Sequence, residues 1–129
     1  MAAARPDHVV LYDEDCGFCR WSLDLILAWD RRGLLRSTSI QSPEGQALLA
    51  TIRPAERLNS WHLALPSGEV VSAGAAAPPL LRVLPAGRPL AALLAAFPGA
   101  TERAYRAVAA HRGSLARALR IRGGPTPRR

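Results

Sequence analysis

Asp13-Glu14-Asp15-Cys16-Gly17-Phe18-Cys19-Arg20 contains both cysteines of a 129-residue chain, at Cys-x-x-Cys spacing. An apolar run, Val9-Val10-Leu11-Tyr12, precedes this stretch, and a segment with apolar residues at helical spacing follows it. A strand is therefore expected to end here and a helix to begin. Thiols at a helix N-terminus meet unpaired backbone N–H groups and the positive end of the helix dipole, both of which favour a thiolate.

The neighbouring segments extend that reading. His8 to Tyr12 is short, apolar and β-branched, the pattern of a buried strand. The following helix is expected from Gly17 to about Arg32, with Gly33 as its C-cap. Cys16, Cys19, Leu23, Ile26 and Leu27 share one face, and Phe18, Leu25 and Trp29 form a second apolar stripe. Arg20, Asp24 and Arg31 share the polar strip between them, so the helix reads as largely buried. A second strand covers Leu34 to Ile40, and a helix with Ser42 as N-cap and Pro43 in its first turn runs to about Ile52. Ser60 to Leu65 and Glu69 to Ser72, joined by Pro66-Ser67-Gly68, read as a β-hairpin. Prolines then divide the chain into short helices at about 78–84 and 89–96. A last helix is expected from Thr101 to about Ile121, with Tyr105, Val108, Leu115, Ala116 and Leu119 as its apolar stripe and Arg112 inside that stripe.

Strand, helix, strand, helix, hairpin and helix give an α/β domain with one parallel pair and one antiparallel pair. This is the order of a thioredoxin-like domain, with the cysteines where that fold places them. A single domain is expected over residues 1–122, followed by a disordered Gly/Pro/Arg tail at 123–129.

Composition narrows the class. With 49% hydrophobic and 21% charged residues the chain is globular in type. No apolar stretch approaches the roughly 20 residues of a membrane span, and Met1 to Pro6 lacks a secretory pattern, so a cytoplasmic, non-spanning protein is expected. In that compartment a Cys-x-x-Cys pair reads as redox or metal chemistry rather than as a staple. From Thr101 onward eight arginines face one acid, so this segment holds the whole net charge of +7. Such a basic helix reads first as a solvated face, and second as a weak docking site for an anionic partner. No specific nucleic-acid partner is implied.

The chain resembles the DCC family of thiol-disulfide oxidoreductases, named for an Asp-x-x-Cys-x-x-Cys signature that stands here as Asp13-Glu14-Asp15-Cys16-Gly17-Phe18-Cys19. Ser60-Trp61, Ser67-Gly68 and Tyr105-x-x-Val108-Ala109-x-x-Arg112 are also similar to that family. The resemblance implies a thioredoxin-like fold, thiol or disulfide substrates and no bound cofactor. Gly17 stands where family members often carry proline, and Arg57-Leu58-Asn59-Ser60 lacks the proline that thioredoxins place before the third strand.

Within that chemistry, Cys16 is expected to attack a substrate disulfide and Cys19 to resolve the mixed disulfide. Asp13, at the strand end, is a candidate to take the proton of Cys19, although Asp13 and Asp15 also suit helix N-capping. Gly17, Phe18, Arg20 and Trp61 are expected around the site, while Trp21 and Trp29 read as core residues. Zinc is the rival for the cysteine pair and would need His8, His62, His111 or Asp13 to complete it. Arg112 is expected to find Asp24 or Asp30. The alternative to an enzyme is a docking module whose basic C-terminal helix engages a membrane, protein or nucleic acid, with the cysteines structural or zinc-holding.

Overall fold

The apolar run at the start of the chain forms β1 (His8–Tyr12), which becomes the centre of the sheet. In the computed structural model, residues 8–111 together with Ser114, Arg117 and Ala118 are described. β1 pairs in parallel with β2 (Leu35–Ser39) and antiparallel with β3 (His62–Ala64), and β4 (Val70–Ser72) pairs antiparallel with β3. The strand order is β2-β1-β3-β4. This is the expected mixed sheet, a parallel pair plus a hairpin, and helices cover both of its faces.

The period-2 alternation of β1 divides the core. Val10 and Tyr12 join Leu63 and the inner face of α1 (Gly17–Trp29), where Leu23 and Leu27 are buried. α3 (Ala77–Val83) and the turn after it add Leu80, Leu81 and Leu84 to this cluster. Val9 and Leu11 point the other way, to Ile40, Ala64 and Leu49, the last at the end of α2 (Pro43–Leu48). A strand buried on both faces reads as a continuous apolar run, which is why the sequence signal at this position was strong.

Boundaries differ from expectation where side chains intervene. α1 stops at Trp29 rather than near Arg32, because Asp30 turns back as the C-cap. The Asp30 carboxylate accepts the N–H groups of Leu34 and Leu35, at 3.1 and 2.8 Å, and so stitches the helix end to the start of β2. Gly33, at φ 67, lies in that turn rather than at the cap. The second stripe of α1 is not buried: Leu25 is 54% exposed, and Trp29 reaches across to donate from Nε1 to the Pro85 carbonyl. Nor do Trp21 and Trp29 sit in the core, being 37% and 38% exposed. α2 ends at Leu48, short of Ile52.

The proline-punctuated segment gives α3 and α4 (Arg88–Ala96) close to the expected places. α5 (Pro98–Ala110) begins before Thr101, with Pro98 in its first turn. Thr101 is buried in that helix, and its hydroxyl donates to the carbonyls of Leu94 and Phe97. A short 3-10 turn, Ala73–Ala76, carries the chain from β4 to α3 and supplies the seat for α5. There the Gly74 N–H donates to Glu102 Oε1 at 3.0 Å, and Glu102 also pairs with Arg106. The backbones approach closely: a Cβ on Gly74 would lie 2.8 Å from Glu102 Cα. α5 ends at Ala110 with His111 as its C-cap, short of the expected Ile121, and Ser114, Arg117 and Ala118 are helical again beyond it. The pairing of Arg112, the 123–129 tail and the Met1–Pro6 segment lie outside the described residues.

Two predictions follow from the packing. Gly74→Ala pushes α5 off its seat and lowers stability by about 1–3 kcal/mol, read as a reduced urea midpoint. His62 supplies the second. It is 2% exposed, with Nε2 at 2.7 Å from the Arg57 carbonyl and Nδ1 at 2.6 Å from the Ser72 hydroxyl. Nε2–H donates to the carbonyl and Ser72 donates to Nδ1, an arrangement that suits the neutral ring. Burial pushes the His62 pKa below its ordinary value of 6.5, outweighing the Arg57 carbonyl, which favours the charged ring. The unfolded chain then binds more protons than the folded one as pH falls through 6.5. The contribution is fully present above that pH and is lost as pH drops toward the folded-state value. His62→Gln should flatten the fall in Tm over this acidic window, and an unchanged slope would contradict the assignment.

Candidate active site

The cysteines are positioned by the way α1 starts. Cys16 is itself the N-cap, at φ −100 and ψ 110, and its Sγ accepts the Cys19 N–H at 3.3 Å. Sulfur here takes the place that a serine or aspartate oxygen usually fills. Neither Asp15 nor Asp13 caps the helix. Asp15 is exposed, and its N–H donates to Asp13 Oδ1 at 2.9 Å, while the Asp13 carbonyl accepts the Cys16 N–H. Asp13 thus folds the loop before the helix, as an aspartate does when it bonds backbone two residues on.

Two further side chains hold that loop. Gln41, two residues past the end of β2, donates from Nε2 to Asp13 Oδ1 at 2.7 Å and accepts the Glu14 N–H on Oε1 at 3.3 Å. Arg20 does not lie on a solvated strip: it is 3% exposed, and its Nη1 donates to the Glu14 carbonyl at 2.7 Å. The long stem lets the guanidinium reach back past the start of its own helix, so packing of the stem and the polar tip are both satisfied.

A cavity of about 250 Å³ opens beside the second cysteine. Cys19 and Phe18 border it from α1, Asp13 from the end of β1, Trp61 from the approach to β3, and Tyr105 and Val108 from α5. Its wall is mostly apolar, with Asp13, Ser22 and Ser60 as polar exceptions. Of the residues singled out from sequence, the fold therefore brings Asp13, Phe18, Cys19 and Trp61 to one concavity. Cys16, Gly17 and Arg20 are not part of its wall, Cys16 being half-buried at the helix start. Phe18 also meets Trp21, ring centroids 5.8 Å apart, which fixes one rim.

The histidines considered for a metal are scattered. His62 is on the sheet face opposite the cavity, because its neighbour Leu63 packs with Val10 while Ala64, two residues on, packs with Val9. His8 starts β1, at the far end of the strand from Asp13, and His111 Nδ1 lies 2.8 Å from the Ala107 carbonyl. Among the described residues no three His, Cys, Asp or Glu side chains gather where a metal ion could be held.

Sequence reading missed Gln41 and Leu58, the latter bordering the cavity along with Ser60 of the Ser60-Trp61 pair. Gln41 had a usable signal. In α/β sheets, sites form outside the carboxyl ends of parallel strands, and Gln41 follows the strand that pairs in parallel with β1. Leu58 lies in an irregular segment without periodicity, and nothing local marks it.

Over 80 residues the chain is 34% identical to the uncharacterized protein YuxK of Bacillus subtilis (strain 168), an alignment covering 61% of this chain and 58% of that protein. The match thus spans somewhat more than half the length of that relative. No solved structure was found to match. Among the described residues, no helix is long and apolar enough to cross a membrane. The family model for DCC1-like thiol-disulfide oxidoreductases matches residues 10–118, and the chain belongs to that family.

Proposed function

We propose that this protein is a thiol-disulfide oxidoreductase in which Cys16 attacks a substrate disulfide and Cys19 resolves the resulting mixed disulfide. The observation that carries the reading is the N-cap geometry: Cys16 Sγ receives the Cys19 N–H at the first turn of α1. An attacking sulfur is anionic, and at this position it meets both a backbone donor and the positive end of the helix dipole. Cys19 sits one turn further in, close enough in sequence and on the same side to attack the sulfur of Cys16.

Asp13 is assigned the proton of Cys19 during resolution. Both border the same cavity, which places the carboxylate on the side of the second cysteine. The Asp15 N–H and Gln41 Nε2 both donate to Asp13 Oδ1, which orients the carboxylate and leaves these two bonds off Oδ2. Phe18 and Trp61 form walls, Gly17 opens the helix, and Arg20 holds the loop from beneath.

Cys19→Ser should accumulate a stable mixed disulfide on Cys16 when treated with a small disulfide, detectable as an adduct by intact mass. Cys16→Ser should form neither that adduct nor an intramolecular disulfide. A wild-type protein whose thiols never join under mild oxidant would refute the redox reading. For Asp13→Asn, first attack should proceed while resolution slows by about tenfold or more, as loss of a general base does. Equal slowing of both steps would make Asp13 a loop-folding residue only.

A further inference from the structure

Apolar walls beside a reactive pair specify what approaches it. Building on the oxidoreductase reading, we infer that the substrate is a low-molecular-weight disulfide carrying an aromatic or bulky aliphatic group, which the cavity beside Cys19 receives. Cys16, outside the wall, meets the sulfur, while the cavity holds the group attached to it.

Size fits one such group. A dry cavity of about 150 Å³ accommodates a benzene ring. At about 250 Å³ this one has space for a phenyl ring with its methylene and sulfur. Its surfaces fit as well: Phe18, Trp61 and Tyr105 offer ring faces and edges, and Leu58 and Val108, 47% and 45% exposed, form an apolar mouth. Asp13, Ser22 and Ser60 are the few polar groups on this wall, so most of the surface a polar disulfide would meet offers no hydrogen-bond partner. Backbone capture of a peptide has less support, because the Trp61 carbonyl is already engaged by the Ala73 N–H of the hairpin at 3.2 Å. Trp61 therefore offers the site ring surface.

The chemistry balances within one turnover. Cys16 thiolate bonds to one sulfur of R–S–S–R, the S–S bond breaks, and RS⁻ leaves. Cys19 loses its proton and bonds to Cys16 Sγ, expelling the second RS⁻. The pair's two thiol protons end on two RSH; the substrate gains two electrons, and the protein dithiol becomes the Cys16–Cys19 disulfide. An external thiol reductant returns the pair for another cycle.

The test compares dibenzyl disulfide with bis(2-hydroxyethyl) disulfide, both alkyl disulfides, in single turnover with the reduced protein. Rates are divided by those of N-acetylcysteine with the same reagents. The benzyl reagent should exceed the hydroxyethyl one by roughly tenfold or more after that correction, the scale expected for burying a phenyl ring. Ala109→Trp, which places bulk in the cavity, should erase the excess. Should that variant not fold, the unreactive thioether dibenzyl sulfide gives an independent readout: it should raise the Tm of the wild type. Equal corrected rates with no Tm rise overturn the substrate class while leaving the oxidoreductase reading intact, provided Cys16–Cys19 forms. Failure of both reagents to generate that disulfide overturns both. A preference seen only with a cystine peptide bearing phenylalanine beside each cysteine overturns the small-molecule assignment in favour of a protein substrate.

Discussion

The hydrogen bond from Gln41 Nε2 to Asp13 Oδ1, 2.7 Å long, joins the ends of two parallel strands, and the placement of the cysteines depends on it. β1 is buried on both faces and must hand its chain to a helix within four residues. Backbone groups in so short a connection need partners. Asp13 accepts the Asp15 N–H, Gln41 accepts that of Glu14, and buried Arg20 takes the Glu14 carbonyl. Cys16 is thereby delivered to the N-cap with its sulfur turned onto the helix rather than into solvent.

The three acids beside the cysteines therefore have different parts. Asp13 is half-buried and engaged, whereas Glu14 and Asp15 are exposed and their charges are screened by water and salt. Opposing them is the buried guanidinium of Arg20, which donates to a carbonyl rather than to a carboxylate. Removing a cation of this kind leaves a carbonyl unpaired and a space where the stem packed, a structural loss next to the cysteine pair.

Much of the fold was legible because β1, the hairpin and the capped α2 each carry a local signal whose physics is short-range. β1 announces itself by an unbroken apolar run, and Ser42-Pro43 by cap chemistry, Ser42 Oγ accepting the Gly45 N–H. The misses were long-range. Periodicity put Arg20 on a polar strip, but a side chain in the first helical turn can fold back over the preceding loop, which no periodic rule captures. The end of α1 was missed because Asp30 spends its carboxylate on two N–H groups of the next strand, a tertiary contact. Gln41 needed the β1–β2 register, with Tyr12 opposite Ser39, before its reach to Asp13 could be seen. Cysteines and Asp13 were visible from the motif, while the cavity required α5 to swing over Trp61.

That last placement shows how stability and chemistry are coupled here. Tyr105 and Val108 reach the cavity only because Glu102, one turn earlier, accepts the Gly74 N–H and Gly74 has no Cβ to hold the helices apart. Gly74 in turn follows β4, the far edge of the sheet from α1. One wall of the site is thus hung from the opposite edge of the sheet, while the other, Phe18 and Cys19, is fixed by the loop after β1. Apolar surface in such a cavity strengthens every electrostatic interaction it encloses, including those of the Asp13 carboxylate and the Cys19 sulfur. Loosening α5 would admit water and weaken those interactions without touching either cysteine. The surroundings of the cysteine pair therefore depend as much on how α5 is seated as on the Cys-x-x-Cys motif itself.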